Sequence, residues 1–168
     1  MPPDVHYPDL TPPPGWQSAL QGLQVRLVPP GETLADADVC IIVSPLVPRQ
    51  PLLPPPAQLI EETLFTEARQ RLEIVSQKGP LPDKTLGGIA GVYFEVECFV
   101  RPASPRERRI YVMYSDALCY YAISLLARAT VFARFVQIFW AAARSIRPFR
   151  GKLLHPTGPS PTAMLYGD

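Results

Sequence analysis

The sequence predicts an α+β domain: an antiparallel β-sheet of about six strands, with one helix after the third strand and a long C-terminal helix packed on the sheet. Two observations predict this fold. Apolar and polar residues alternate in several short runs, which is the period of a half-buried strand. The last apolar run instead repeats every three or four residues, which is the period of a helix. The 22 prolines lie between these runs, so they separate the elements of a fold.

The length and composition indicate one domain between a proline-rich arm and a tail. Of the 168 residues, 47% are hydrophobic and 18% are charged, and this length suits one hydrophobic core. Residues 1–14 are the proline-rich N-terminal arm, residues 15–148 the α+β domain, and residues 149–168 an extended C-terminal tail. The net charge of +1 favours neither a nucleic acid nor an anionic membrane as the partner.

The first half of the domain combines short strands, a proline-rich segment and a helix. Residues 17–28 predict one or two strands interrupted by a glycine. Residues 38–43 predict a strand buried on both faces, because apolar residues are continuous there. The six prolines of residues 44–56 exclude regular structure and favour a loop that covers the sheet. Pro56 then suits the first turn of a helix, which we predict over residues 57–71.

The second half of the domain carries an antiparallel meander followed by the long helix. A glycine- and proline-rich loop is predicted over residues 78–83, and a hairpin loop over residues 101–107. Apolar residues recur at helical spacing from Phe132 to Ile146, which predicts the C-terminal helix, and Pro148 ends it. The predicted strands are residues 72–77, 93–100, 108–114 and 117–126.

The sequence contains no recognisable catalytic constellation. The two histidines, His6 and His155, lie in the proline-rich flanks, whereas a histidine relay or a zinc site needs histidine in the folded body. Cys40, Cys98 and Cys119 lie in apolar runs without C-x-x-C spacing, which indicates buried, reduced thiols. We therefore predict no enzyme activity, no catalytic residues, no cofactor and no metal.

The sequence also predicts a cytoplasmic protein. Its N-terminus has neither the basic start nor the apolar segment of a secretory signal. Residues 117–143 are the most apolar long stretch, but Arg128 and Arg134 interrupt it. Because a transmembrane helix needs ~18 consecutive apolar residues, no transmembrane segment is predicted.

One face of the strand at residues 93–100 is the predicted interaction surface. Glu95 and Glu97 form a carboxylate pair there, and the arginines of the following strand favour cross-strand ion pairs over acid–base chemistry. An apolar triplet near the C-terminus is available to bind the body or a partner. The candidate surface residues are Tyr93, Glu95, Glu97, Phe99, Arg108, Arg109, Tyr111, Met164, Leu165 and Tyr166.

Three local motifs resemble those of a known superfamily. They are PPPGWQ at residues 12–17, GGIAGVYFEVEC at residues 87–98, and YYAISLLA at residues 120–127 followed by VFARFVQIFWAAARSIRP at residues 131–148. They resemble the opening, the central strand and the final strand and helix of the Mog/PsbP-like superfamily. That superfamily includes Ran-binding Mog proteins, the PsbP subunit of the photosystem II oxygen-evolving complex, and Eag-type chaperones of bacterial type VI secretion. The resemblance implies an α/β/α sandwich whose members share no catalytic residue set.

Three functions are compatible with these features. The first is a non-enzymatic adaptor or chaperone-like module that binds a protein partner, with a homodimer left open. The alternative is a small-molecule-binding protein or enzyme whose pocket lies between the sheet and the C-terminal helix, with polar groups from Glu95, Glu97, Arg109 and Tyr111. The third is a subunit of a larger assembly, held by its proline-rich arm and by residues 164–166.

Overall fold

Eight antiparallel strands form one sheet, and a helix follows the last strand. The computed structural model describes residues 5–49, 55–60 and 72–151, and the structural statements below concern these residues. In chain order, the strands are β1 Gln17–Gln21, β2 Gln24–Val28, β3 Val39–Val43, β4 Val47–Pro48, β5 Glu73–Lys84, β6 Ala90–Phe99, β7 Glu107–Ser115 and β8 Cys119–Arg128. The helices are α1 Pro56–Leu59 and α2 Phe132–Arg144.

The central strand of the sheet is β8, which pairs with three other strands. The strand order is β1-β2-β3-β8-β7-β6-β5, and β4 pairs with β8 beside β3. β3 pairs with residues 123–127 of β8, whereas Val47 of β4 pairs with Tyr120. Between them, the N–H of Ser44 donates to the carbonyl oxygen of Ala122 at 3.1 Å. β3 and β4 therefore lie along β8 as one long strand with an irregular step in the middle.

The predicted sheet of about six strands with a helix after the third strand is wrong. The sheet has eight strands, and α1 follows the fourth of them. Two features account for the difference. Residues 17–28 form a complete hairpin, and Val47–Pro48 pairs with β8 inside the segment predicted to be irregular; the edge position of β4 tolerates a proline. Most of the predicted helix over residues 57–71, like the triplet at residues 164–166, lies outside the described residues.

β5 runs through residues 78–83, which the sequence predicts as a loop. Nine of its 12 residues pair directly with β6, and the register shifts at Val75 and again at the Gly79–Pro80 pair. Gly79 has a φ of +115°, and a Cβ there would lie 2.6 Å from the carbonyl oxygen of Tyr93. Only glycine fits this position. The Gly-Pro pair is a turn signal in the sequence, but here it forms a bulge in an edge strand.

β1 and β5 are the two edges of the sheet. All 5 residues of β1 are exposed, and none of them is charged or a proline. β5 contains Lys78, Pro80, Pro82 and Lys84. The two edges therefore differ in composition as well as in length.

Side chains are buried on both faces of the sheet, which we call the helix face, where α2 packs, and the far face. On the helix face, α2 packs mainly over β3 and β8. Phe139 and Ala143 of α2 are fully buried there, in one cluster with Tyr121 and Ile123 of β8. The far-face cluster consists of Val47, Leu59, Ile60, Phe94, Val96, Cys98, Tyr111, Met113, Tyr120 and Ala122.

The described part of the N-terminal arm lies against the domain. The carbonyl oxygen of His6 accepts a hydrogen bond from the N–H of Leu46 at 2.8 Å. Asp9 forms a main-chain bridge with Arg147 and an ion pair with its guanidinium at 3.1 Å. These contacts join the arm to the segment between β3 and β4 and to the segment that follows α2.

Substitutions on α2 test which side of the helix faces the sheet. Phe139→Ala is expected to lower the free energy of unfolding by about 3–5 kcal/mol, because it leaves a cavity at a fully buried position. Ile138→Ala, at a neighbouring side chain that is 37% exposed, is expected to cost less than about 1 kcal/mol. Urea denaturation followed by circular dichroism measures both values. Equal losses for the two variants would contradict this orientation of α2.

β6 approaches β7 closely at Gly91, so a larger residue at that position is expected to destabilise the fold. A Cβ at Gly91 would lie 2.6 Å from Cδ1 and 2.7 Å from Cα of Tyr114, so Gly91→Ala is expected to cost about 2–4 kcal/mol. Gly87→Ala is the matched control, because its nearest contact would be an ordinary 3.4 Å from Cδ of Pro148. The same denaturation experiment compares the two. A Gly91→Ala midpoint equal to that of the control would show that the strands are not so closely packed.

Candidate functional site

The predicted surface residues of β6 lie on the helix face, beside α2. Tyr93 packs edge-on against Trp140 of α2, with the ring centroids 4.9 Å apart. Glu95, Glu97 and Phe99 follow Tyr93 on the same face by strand alternation, while the residues between them are buried on the far face. Because α2 packs mainly over β3 and β8, the two glutamates lie beside the helix and not beneath it.

We call the five charged residues beside α2 the charged strip: Lys78, Glu95, Glu97, Arg106 and Arg108. Nη2 of Arg108 forms an ion pair with Glu95, and Arg106 pairs with Glu97 at 3.5 Å. Lys78 lies directly across from Glu95 in the register of β5 and β6. Side-chain exposure rises from 20% at Glu95 and 27% at Glu97 to 37% at Arg108 and 50% at Arg106. The carboxylates are thus paired with arginines on a surface that solvent still reaches.

Both arginines of the charged strip stack on aromatic rings. The guanidinium carbon of Arg108 lies 4.0 Å from the ring centroid of Phe132, at the start of α2. That of Arg106 lies 5.4 Å from the ring centroid of Phe99. Stacking holds a guanidinium in place through its flat face and leaves the N–H groups at its edge to donate hydrogen bonds. The two arginines of the strip therefore present ordered donors and not freely moving charges.

Arg109 and Tyr111 lie on the far face, so they do not join the charged strip. Nη1 of Arg109 donates to the hydroxyl of Tyr111 at 3.1 Å, and Nη2 donates to Glu107 at 2.9 Å. Burial alone would lower the pKa of Arg109, but Tyr111 and Glu107 outweigh it and raise that pKa. Glu95 and Glu97 do not share a pocket with these two residues. The space between the sheet and α2 is filled by core side chains.

A cavity of about 410 Å³ lies on the far face, at the end of the sheet where β2, β3, β8 and β7 are neighbours. Its lining includes Arg26, Cys40, Arg109 and Arg128. The sequence did not predict this cavity, because it forms through the register of four strands that are far apart in the chain. Arg26 of β2, Arg109 of β7 and Arg128 of β8 can be recognised as one group only once the strand order is known.

Asp83 fixes α2 to the sheet. Nη2 of Arg144 donates to its Oδ1 at 3.0 Å, and the hydroxyl of Tyr114 donates to its Oδ2 at 2.6 Å. The Arg144 guanidinium also lies over the Trp140 ring, 4.7 Å from the centroid. Burial, together with the hydrogen bond to Asp83, raises the pKa of Tyr114. Asp83 is therefore a structural acceptor with two donors.

The cysteines are unpaired, and two of them are fully enclosed. Cys98 and Cys119 are buried, Cys40 is partly exposed, and none forms a disulfide. Within the described ranges, no three His, Cys, Asp or Glu side chains lie close enough together to hold a metal ion. Among the helices of the described part of the chain, none has the length and apolar character needed to cross a bilayer.

Comparison with solved structures identifies the fold. The chain matches the solution structure of cyanobacterial PsbP (CyanoP) from Synechocystis sp. PCC 6803 with a TM-score of 0.51 and 15% sequence identity. The match covers 82% of this chain and 84% of that chain. The chain has a PsbP-like fold. The resemblance predicted from the sequence motifs is thereby confirmed at the level of the fold.

A second solved structure matches the chain with a lower TM-score. The crystal structure of PA94 from Pseudomonas aeruginosa, a protein of unknown function and putative regulator, matches with a TM-score of 0.48 and 7% identity. It covers 81% of this chain and 99% of that chain. No family model and no curated protein matches the sequence.

The buried thiol of Cys119 lies in the central strand of this PsbP-like fold. Its burial leads us to expect that the folded protein loses stability in alkali. Burial raises its pKa from 9.0 to about 11, so the folded chain keeps a proton that the unfolded chain releases. The contribution of this thiol to stability is therefore complete below a pH of about 9 and is lost as the pH rises through about 11. Urea denaturation at several pH values measures it.

Cys119→Ala isolates the thiol from the other groups that titrate in this range. The variant is expected to be less stable at neutral pH, because it loses buried atoms. Its stability should nevertheless fall less steeply than that of the wild type between pH 9 and 11. Parallel curves for the two proteins would show that Cys119 has an ordinary pKa.

Proposed function

We propose that this chain is a non-enzymatic protein-interaction module, an adaptor or chaperone-like subunit that binds a protein partner through the charged strip. The observation that supports this most directly is the position of the strip. It lies on the sheet beside α2, its ion pairs are partly exposed, and its arginines stack on Phe99 and Phe132. Ordered, partly exposed arginines are typical of protein interfaces.

The charges of the strip favour a protein over a polyanion. Three basic residues lie among two glutamates, and both arginines are already paired with those glutamates. A nucleic-acid surface instead presents a run of unpaired basic groups. Mixed charges orient an approaching protein and discriminate against wrong partners through like-charge repulsion. The partner is therefore expected to carry both signs of charge at its binding surface, and a second copy of this chain meets that condition.

The bonding of the carboxylates supports a non-enzymatic role. Glu95 and Glu107 pair with arginines, and Asp83 accepts hydrogen bonds from both Arg144 and Tyr114. Arginine holds its proton throughout the physiological pH range, so it exchanges none with these carboxylates. These groups are built to hold strands and helix together and not to transfer protons. The likeness to cyanobacterial PsbP shows the fold alone, so the proposal depends on the strip.

We place this activity in the cytoplasm. The support is the state of the thiols: Cys40, Cys98 and Cys119 are unpaired. Reducing compartments keep cysteines in that state, whereas oxidising ones favour disulfides. Fractionation of the native cell with an antibody against the chain tests the assignment.

Exchanging the charges at positions 95 and 108 tests the charged strip and keeps an ion pair between these two positions. Glu95→Arg combined with Arg108→Glu keeps a pair across β6 and β7 but reverses the charge seen by a partner. Tagged wild type and the swap variant are used as bait in native extract, and captured proteins are quantified by mass spectrometry. Proteins that the wild type enriches are expected to fall about tenfold with the swap.

The matched control swaps an exposed pair elsewhere on the protein. Asp9→Arg with Arg147→Asp alters a pair whose side chains are 72% and 56% exposed and lies away from the strip, so capture should be unchanged. Both variants are first shown to unfold at the wild-type urea concentration. Sedimentation of the purified wild type shows whether a second copy is the partner. Equal capture by wild type and strip variant would rule the strip out as the binding surface.

A further inference from the structure

The cavity on the far face is lined by more positive than negative charge. Its lining contains four arginines and two carboxylates, which gives it a net charge of +2. These charged residues are Arg26, Arg101, Arg109, Arg128, Asp38 and Glu107. Over the whole chain the net charge is only +1. The positive charge is therefore concentrated at this end of the sheet.

Strand register places Arg26 and Arg109 on the two sides of the floor of the cavity. Cys40, Leu126 and Arg109 lie next to one another across β3, β8 and β7. Arg26 of β2 is on the same face, because it pairs with Ile42, two residues from Cys40. Neighbouring strands are about 4.8 Å apart. Arg26 and Arg109 therefore stand on opposite sides of the floor formed by Cys40 and Leu126, and both line the cavity.

The Arg26 guanidinium lies beside the Cys40 thiol and interacts with it, but one of its donors lacks an acceptor. Its Nε is buried and has no hydrogen-bond acceptor among the described residues. Burial raises the pKa of the Cys40 thiol, and the charge of Arg26 beside it partly offsets that rise. A buried charged donor without an acceptor is costly. The missing acceptor is therefore an indication of a ligand.

Arg109 of β7 and Arg128 of β8 are held in place by other side chains, but both keep N–H groups that can donate hydrogen bonds. Arg109 uses Nε and both Nη atoms on Glu107 and Tyr111, which leaves two of its five N–H groups. Nε of Arg128 donates to Asp38 at 3.1 Å, at a rim where the Arg128 side chain is 54% exposed. Arg109 is thus oriented from within the protein, and Arg128 stands at the entrance.

We propose that this cavity binds a small organic anion, whose carboxylate or phosphate group accepts hydrogen bonds from Arg26 and Arg109. Guanidinium groups suit both acceptors, because their N–H groups match the spacing of the oxygen atoms. Leu34, Val100 and Leu126 give the cavity apolar walls for the organic part. The volume of about 410 Å³ is at the lower end of the range for small-molecule sites. The site is independent of the charged strip, which lies on the opposite face.

Titration with simple aromatic anions tests the proposal. Phenyl phosphate and benzoate are the anionic probes and phenol is the neutral probe, each added to ¹⁵N-labelled protein at constant ionic strength set by sodium chloride. Saturable amide shifts are expected in β3 and β8, near Cys40 and Leu126. Phenol should bind at least about tenfold more weakly. The order of the two anions shows which headgroup the site prefers.

Arg26→Gln is the decisive variant. It removes the charge whose buried Nε lacks an acceptor and leaves a shorter, neutral polar side chain, so the variant is expected to fold at least as stably as the wild type. Its Kd for the preferred anion should rise about tenfold. Arg128→Gln, at the half-exposed rim, gives a second and smaller increase. Arg134→Gln is the matched control, because Arg134 is an exposed residue of α2 and its removal should leave Kd unchanged.

Three results would overturn the proposal. They are the absence of saturable shifts with both anions, equal binding of phenol and the anions, and a wild-type Kd for Arg26→Gln. Any of them would leave the cavity as hydrated space beside Arg26. None of them bears on the charged strip, whose test uses other residues and a different readout.

Discussion

Burial of β8 on both faces is the constraint on which the rest of the structure depends. Tyr121, Ile123 and Leu125 are fully enclosed on the helix face, and Tyr120 is fully enclosed on the far face. A strand buried on both sides leaves no polar surface of its own and must satisfy every main-chain group by pairing. β3, β4 and β7 provide those partners. The hairpins on either side then extend the sheet outward from this strand.

Because the middle of the sheet is filled, polar groups are confined to its margins. The adjacent arginines of β7 show how this works. Arg108 faces α2 and pairs with Glu95, whereas Arg109 faces the far side and pairs with Glu107. One residue thus belongs to the proposed protein-binding strip and its neighbour to the proposed anion site. Strand alternation separates the two sites by the thickness of the sheet.

Features that depend on the periodicity within one segment were predictable from the sequence. Features that depend on pairing between segments were not. The alternation of residues 93–100 correctly indicates which side chains of β6 are buried, and apolar spacing locates α2. The additional strand at Val47–Pro48 was missed because a partner in β8, not local propensity, makes it a strand. The extension of β5 was missed because its Gly-Pro pair is read as a turn. The cavity could not be predicted because it depends on the strand order β2-β3-β8-β7, which periodicity does not reveal.

The unequal edges of the sheet give the molecule a direction in which it can be extended. A further strand needs a row of free N–H and C=O groups, and β1 offers one that is uncharged and exposed along its length. On β5, Pro80 and Pro82 supply no N–H, and the bulge at Gly79 interrupts the row. A peptide or a neighbouring strand would therefore add beside β1. The edge next to the charged strip would remain the closed end of the sheet.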